Sequence, residues 1–294
     1  MLSRVSRAVA FVLAASLSFA PALSAQAGSV TASAYGTRAT LEYRGTFNQA
    51  SGLTLTIARD GTVVEHAAVS ASTCGRLCWP APVGPVLRIV NLGGPRPDVV
   101  LSLYSGGAHC CFVDEVYSEN AAGHVAASEL DLGDPTATLE HLAPGAPLVF
   151  VTADDAFAYA FTDYAASALP VKILAFRDRR FVDVTSDYPS VVAHDAARWW
   201  RAFVATASSH YADSVGLAAA WAADEERLGR GALVAHVLAA QARAGHLRSA
   251  LNPITVENWR FVAQLDRFLT RLGYLHETRS QRPASRAGSG YRRR

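Results

Sequence analysis

The sequence predicts an α+β protein: an antiparallel β region with propeller-like or sandwich-like repeats, then a C-terminal helical bundle. Three observations lead there. Between about residues 50 and 188, short apolar runs alternate with turns rich in Gly, Pro and Asp. Two blocks, LGGPRPDVVL from Leu92 to Leu101 and LAPGAPLVFV from Leu142 to Val151, match at an offset of fifty residues. At Tyr188-Pro189 the texture changes, and the chain beyond is rich in Ala, Leu and Arg at helical spacing. Three short sheets are too few to close a regular propeller.

The chain begins as an export signal, assigned to residues 1–27. Arg4 and Arg7 form a basic start, Ala8 to Ala20 is an uncharged apolar run, and Pro21 precedes Ala25-Gln26-Ala27, a small-x-small cleavage site. Gly28 is then the expected mature N-terminus. No Cys lies near that site, which argues against a lipid anchor, and no later apolar run is long enough to span a bilayer. From Gly28 to about Gly45 the residues are small and polar, and a loose arm is expected.

Within the β domain, 28–188, Leu53 to Val69 reads as a hairpin turning at Asp60-Gly61. Ser70 to Pro85 reads as a loop, and Leu87 to Val90 as a short strand. Strands are expected at Asp98 to Tyr104, Cys110 to Ser118 and His124 to Leu130, then at Ala158 to Thr162, Val171 to Arg177 and Phe181 to Thr185. The last pair flanks Arg177-Asp178-Arg179-Arg180, an echo of Arg59-Asp60-Gly61-Thr62.

The helical region, 189–277, divides into four amphipathic segments. Trp199, Trp200, Phe203, Val204 and Ala207 share one face, and Asp213 is a candidate cap for a second helix through Val215, Ala218, Ala219 and Ala222. Leu233, Val234, Val237 and Leu238 are expected to face inward in a third, ended near Gly245. Trp259, Val262, Leu265, Phe268, Leu269 and Leu272 build a fourth, stopped at Gly273. The tail, 278–294, has one large apolar side chain, Tyr291, and reads as disordered.

Charge excludes one class of partner. Of 27 basic residues, two lie in the leader and six in the tail, which leaves 19 against 25 acidic residues in the body, a net of −6. An acidic body argues against nucleic acid.

Cys74, Cys78, Cys110 and Cys111 are an even count in an exported chain and read as two disulfides. A local pairing needs a vicinal Cys110-Cys111 ring that distorts a strand. Cross-pairing instead closes loops of roughly thirty residues, worth about 3–4 kcal/mol in the chain-entropy picture. The expectation is therefore one bridge from the Cys74/Cys78 pair to Cys110 and one to Cys111, with the connectivity between them open. With His109 these cysteines could also form a thiolate-imidazole metal site, but the spacing is weak for zinc, and neighbours on a strand point to opposite faces. A disulfide sulfur is not a free nucleophile either.

The run RIVNLGGPRPDVVLSLYSGGAHCC, with VTADDAFAYAFTDYAASALPVKILAFRDRRFVDVT from Val151 to Thr185, resembles secreted bacterial proteins with FG-GAP or VCBS-type repeats, including uncharacterised exported actinobacterial ones. The resemblance covers roughly residues 85 to 188. In better-preserved relatives the loop carboxylates bind calcium. Here Asn91 stands at a first-ligand position, Gly93 and Pro95 stand where acids would follow, and the register of Asp98 is shifted by a shorter loop. The second copy, His141 to Pro147, has no carboxylate. No cofactor is expected, calcium included, and the loop reads as a tight turn that sets strand register.

Asp154-Asp155, with Asp163 nearby, could serve acid-base work. The alternative, which is favoured, is a loop whose Asp side chains cap backbone amides. Asp114-Glu115 reads as one solvated carboxylate on a strand, and Ser105-Gly106-Gly107 is not a nucleophile elbow. Trp199-Trp200 between Arg198 and Arg201 could stack on a sugar or base, though helical spacing puts one Trp in the core. The leading function is a non-catalytic exported binding or scaffold protein with an extracellular or cell-envelope ligand of unknown kind. The alternative is an envelope hydrolase using Asp154 or Asp155, with His109 as a further candidate.

Overall fold

The structure is a computed structural model that describes residues 27–74, 78–108, 110–120, 122–207, 213–249 and 257–275. Residues 1–26 of the expected leader, His109 and the basic tail lie outside the described residues.

The first sheet is an antiparallel meander of β1 (Ala27–Ala34), β2 (Thr37–Arg44), β3 (Ser51–Arg59) and β4 (Thr62–Ala68). The expected loose arm is therefore a hairpin. Its turn residues, Tyr35 (φ 50) and Gly36 (φ 71), form a two-residue left-handed turn without the Asn-Gly or Asp-Gly signature. Along β2, Thr37, Ala39 and Leu41 are buried and alternate with Arg38 and Glu42, a period of two that small residues disguise. The β3–β4 hairpin turns at Asp60-Gly61 as the sequence indicates.

The second sheet holds β5 (Trp79–Pro80), β6 (Leu87–Val90), β7 (Asp98–Tyr104), β8 (Phe112–Glu119) and β9 (Val125–Gly133). β7 is central: β8 lies on one side, and β5 and β6 share the other. The third sheet is a meander of β10 (Thr138–Glu140), β11 (Val149–Ala153), β12 (Val171–Arg177) and β13 (Arg180–Asp183). The strand expected at Ala158 to Thr162 does not form. A 3-10 turn at Asp155–Phe157 and further turns occupy the segment, because Phe157 and Phe161, four residues apart, both turn into the helical core. The three sheets are separate in their hydrogen bonding, and none closes into a barrel or propeller among the described residues.

Alternate residues of β7 and β8 face opposite ways and set the layers. Val99, Leu101, Leu103 and Val113 meet Leu41, Leu55 and Ile57 of the first sheet. Val100 and Val116, with Leu130 and Leu132 of β9, meet Phe150, Leu174 and Phe176 of the third. Ile173 and Val149 on the far face of the third sheet meet Val192 of the first helix. Each such side chain contributes about 1.5–3 kcal/mol on burial. The layers thus follow chain order.

Four helices close the stack: α1 (Pro189–Ala207), α2 (Val215–Arg227), α3 (Gly231–Ala244) and α4 (Asn258–Leu272). α2 is buried all round from Val215 to Glu225, the mark of a central helix. Asp213 does not cap it; Asp213 accepts a hydrogen bond from the Thr162 hydroxyl at 2.6 Å instead. Leu233, Trp259 and Leu272 are exposed where the spacing placed them inside, while Val234 is buried as expected and Phe261 is buried as well. Gly245 and Gly273 end α3 and α4 in the left-handed conformation, as expected.

The disulfides are local, Cys74–Cys78 and Cys110–Cys111, which corrects the expected cross-pairing. β8 starts at Phe112, so the two adjacent cysteines precede the strand and their sulfurs are not sent to opposite faces. Non-reducing peptide mapping is expected to release a fragment holding residues 74 to 78 apart from one holding 110 and 111. Fragments that stay joined until reduction would restore the cross-linked framework.

Candidate functional site

The seam between the second and third sheets carries three clefts, and the candidate residues sort among them. The first, about 350 Å³, opens beside β6 and is walled by Phe112, Leu132 and Leu139. Arg88, Ser102 and Asp114 stand at its base because they share the face of Val100 and Val116. Arg88 Nη2 donates to Ser102 Oγ and to Asp114 Oδ2, both at 2.9 Å, and the Ser102 hydroxyl donates to Asp114 Oδ1. Burial pushes the Asp114 carboxyl above the usual range, and the Arg88 charge and the hydrogen bonds oppose that rise. Asp114 and Glu115 are both buried, contrary to the expectation of a solvated carboxylate; Glu115 accepts from the Tyr117 hydroxyl at 2.6 Å.

The second cleft, about 320 Å³, holds Asp154 and Asp155 with Asp131, Lys172 and Cys111. Asp154 caps the 3-10 turn by accepting from the Ala156 amide at 3.3 Å. Its other oxygen accepts from the Tyr274 hydroxyl at 2.8 Å, and Lys172 Nζ lies 3.5 Å from the oxygen that the Ala156 amide meets. Asp155 accepts from the Asp134 amide at 3.1 Å. Burial raises the Asp155 pKa, and the charges of Asp134, Asp131 and Asp154 add to the rise, while the Asp134 amide opposes it. Both carboxylates brace backbone, which is the capping role favoured from sequence. Asp163 turns elsewhere, to the Ala166 amide at 2.9 Å.

The third cleft, about 680 Å³, lies between the first Gly/Pro loop and the β12–β13 turn. Both copies of the repeated loop reach it, through Gly93, Gly94 and Pro95 of the first and Pro147 of the second. The Asn91 side chain accepts from the Gly93 amide at 2.9 Å, and Asp98 Oδ2 accepts from the Leu92 amide at 3.2 Å, so the two residues of the degenerate loop brace the turn. Asp98 is 3% exposed, and burial lifts its pKa to about 6 against the pull of the Leu92 amide and Arg59. Glu119 pairs with Arg59 and, at 3.3 Å, with Arg96. Ser118 is 5% exposed, and its hydroxyl has no hydrogen-bond partner. Among the described residues no three or more His, Cys, Asp and Glu side chains are grouped to hold a metal ion.

Sequence reasoning missed Arg88, Ser102, Asp114 and Ser118. The available signal was polar residues at alternate positions of apolar central strands, Ser102 in β7 and Asp114 and Ser118 in β8. The Trp199-Trp200 pair is partly buried and engaged within the helical core. Trp199 donates to Asp195 at 3.0 Å under the Arg198 guanidinium, and Trp200 packs on Phe203 and Trp221.

A curated relative, a probable thylakoid lumen protein of Synechocystis sp., is 30% identical over 141 residues. The match spans 40% of this chain and 41% of that protein, so the chain covers less than half the length of its relative. No protein-family model matches the chain, so the FG-GAP or VCBS resemblance has no family match behind it. No solved structure matches it. Among the described residues no helix is long and apolar enough to cross a membrane.

Proposed function

We infer that the protein is extracytoplasmic, in keeping with the name of its relative, a probable thylakoid lumen protein. We propose that it is a non-catalytic binding or scaffold module whose ligand docks in the 680 Å³ cleft of the sheet seam. One observation carries the reading: a buried serine hydroxyl, Ser118, stands unpartnered in the wall of a cleft that both repeat loops line. A buried polar group without a partner costs stability and calls for an explanation, which a ligand supplies. The stacked meanders fit the sandwich-like form of the repeat architecture. A second reading, an envelope hydrolase, draws on Asp155, whose carboxyl is raised by burial and by three acidic neighbours in the second cleft.

A thermal-shift screen of the mature chain against small metabolites, with hydrolysis followed in the same mixtures, separates the two. A ligand at a hundredfold excess over its Kd adds about 2.7 kcal/mol, a rise of several degrees in Tm. The expected result is a saturable rise without turnover, lost in Gly94→Phe, which fills a cleft wall where an added Cβ meets nothing closer than 3.5 Å. Turnover that disappears in Asp155→Asn would establish the hydrolase instead.

A further inference from the structure

We propose that this cleft receives a small hydroxylated monocarboxylate of the acidic-sugar class, its carboxylate held by Arg177 and Arg179 and its hydroxyls by Asp98 and Ser118. The inference rests on the binding reading and specifies its ligand.

The floor and the mouth of the cleft differ in charge. At the floor, Glu119 is spent on Arg59 and Arg96. Asp98 keeps one carboxyl oxygen, Oδ1, outside the Leu92 hydrogen bond, and the carboxyl group lies beside Gly94, which offers no side chain. Across the strand pair that sets Val99 opposite Tyr117, the next residue, Ser118, carries a hydroxyl that can both donate and accept. A carboxylate acceptor next to an uncommitted hydroxyl suits a ligand hydroxyl, which needs one of each.

At the mouth stand Arg177 and Arg179, from the β12–β13 turn. Among the described residues neither guanidinium has an ion-pair or hydrogen-bond partner, and a forked guanidinium matches a carboxylate. Arg179 also sits at φ 62, in the turn position that Gly36 and Gly61 occupy in the other two left-handed hairpin turns. The turn chemistry favours Gly there, so the side chain is retained at a conformational cost.

The same charges select among anions. A phosphate brings up to two negative charges toward Asp98 and Glu119, whereas a single carboxylate at the mouth leaves uncharged hydroxyls to face them. A neutral sugar leaves both arginines unused.

Titration calorimetry on the mature chain tests this with D-galacturonate, D-galactose and inorganic phosphate. Galacturonate is expected to bind, and galactose at least about tenfold more weakly, the loss of a charge-assisted contact. Phosphate is expected not to compete. Arg179→Gly is the decisive variant, because it eases the turn and keeps the fold; it should match or exceed the wild-type Tm while losing about tenfold in galacturonate affinity, with a smaller loss in Ser118→Ala. Equal binding of galactose, tighter binding of phosphate, or an unchanged affinity in Arg179→Gly overturns the acidic-sugar assignment and leaves the binding reading standing. No binding of any of the three also overturns the assignment, and the metabolite screen then decides whether the binding reading falls with it.

Discussion

Arg59→Met is expected to destabilise the protein by about 3–5 kcal/mol, the cost of stranding one partner of a buried ion pair. Arg59 ends β3 of the first sheet and is 7% exposed. Its Nη1 pairs with Glu119 at the end of β8, and its Nη2 donates to the Pro97 carbonyl at 3.1 Å. One side chain thus pins the first sheet to both the second sheet and the Gly/Pro loop. Without it Glu119 keeps only Arg96, whose side chain is half-exposed and screened by solvent. The check is a denaturant titration in which the midpoint falls and the slope m does not change. Arg59→Met combined with Glu119→Leu should recover much of the loss, since the stranded charge is then gone. A loss under about 1 kcal/mol for the single variant would place the pair with ordinary surface salt bridges.

The second large effect is a fall in stability with rising pH, traced to α1 and α2. Asp224 is completely buried, and its neighbour is Asp195. Asp195 is well served: the Val171 amide and the Trp199 indole donate to it at 2.9 and 3.0 Å, and Arg198 pairs with it. Asp224 has no donor of its own. Two acceptors can face each other only if one holds a proton, and burial together with the Asp195 charge raises Asp224 to about 9, against the pull of Arg227 and Arg198. A carboxyl raised in the folded state contributes its stability in full below its unfolded pKa. That contribution is lost as pH rises toward the folded value, at up to about 1.4 kcal/mol per pH unit. Asp98, raised to about 6, acts in the same direction at lower pH, and Asp114, Glu115 and Asp155 are raised as well, so the comparison with an Asp224 variant assigns the slope between about 6.5 and 9. Thermal unfolding of the wild type should fall by a few degrees per pH unit across that window. Asp224→Asn should flatten the slope. A wild-type profile already flat there would show that Asp224 ionises without cost.

Much of the fold was legible where period and turn chemistry agreed. β7 and β12 match the expected runs, and Asp60-Gly61 marked its hairpin. The first hairpin was hidden because Ala, Ser and Thr carry little hydrophobic contrast and Tyr35-Gly36 is a weak turn signal. Phe161 was misread because AYAFT alternates as a strand does, while long-range packing on Phe261 and Phe268 decides its conformation. The repeat of Leu92 to Leu101 in Leu142 to Val151 was visible, but not that the two loops meet at one cleft, since that depends on how the sheets stack. That Ser118 and Arg179 line this cleft was invisible for the same reason: one is a serine in a strand, the other an arginine in a turn. The vicinal cysteines were misjudged through a strand start misplaced by two residues, at Cys110 rather than Phe112.

The order of the layers has a consequence for how an exported chain is assembled. A chain that crosses a membrane from its N-terminus presents its layers one at a time. Each meander here pairs strands that are neighbours in sequence, so the entropy of closing each loop is met locally. Apart from β5, which pairs with β7 across β6, the longest-range exceptions come last. Tyr274, at the end of α4, reaches back 120 residues to Asp154 in the second cleft. Phe157 waits for the same tyrosine and for Phe268. The sheets can therefore stack as they emerge, whereas the Asp154 cleft has its full set of hydrogen bonds only after the final helix has come through.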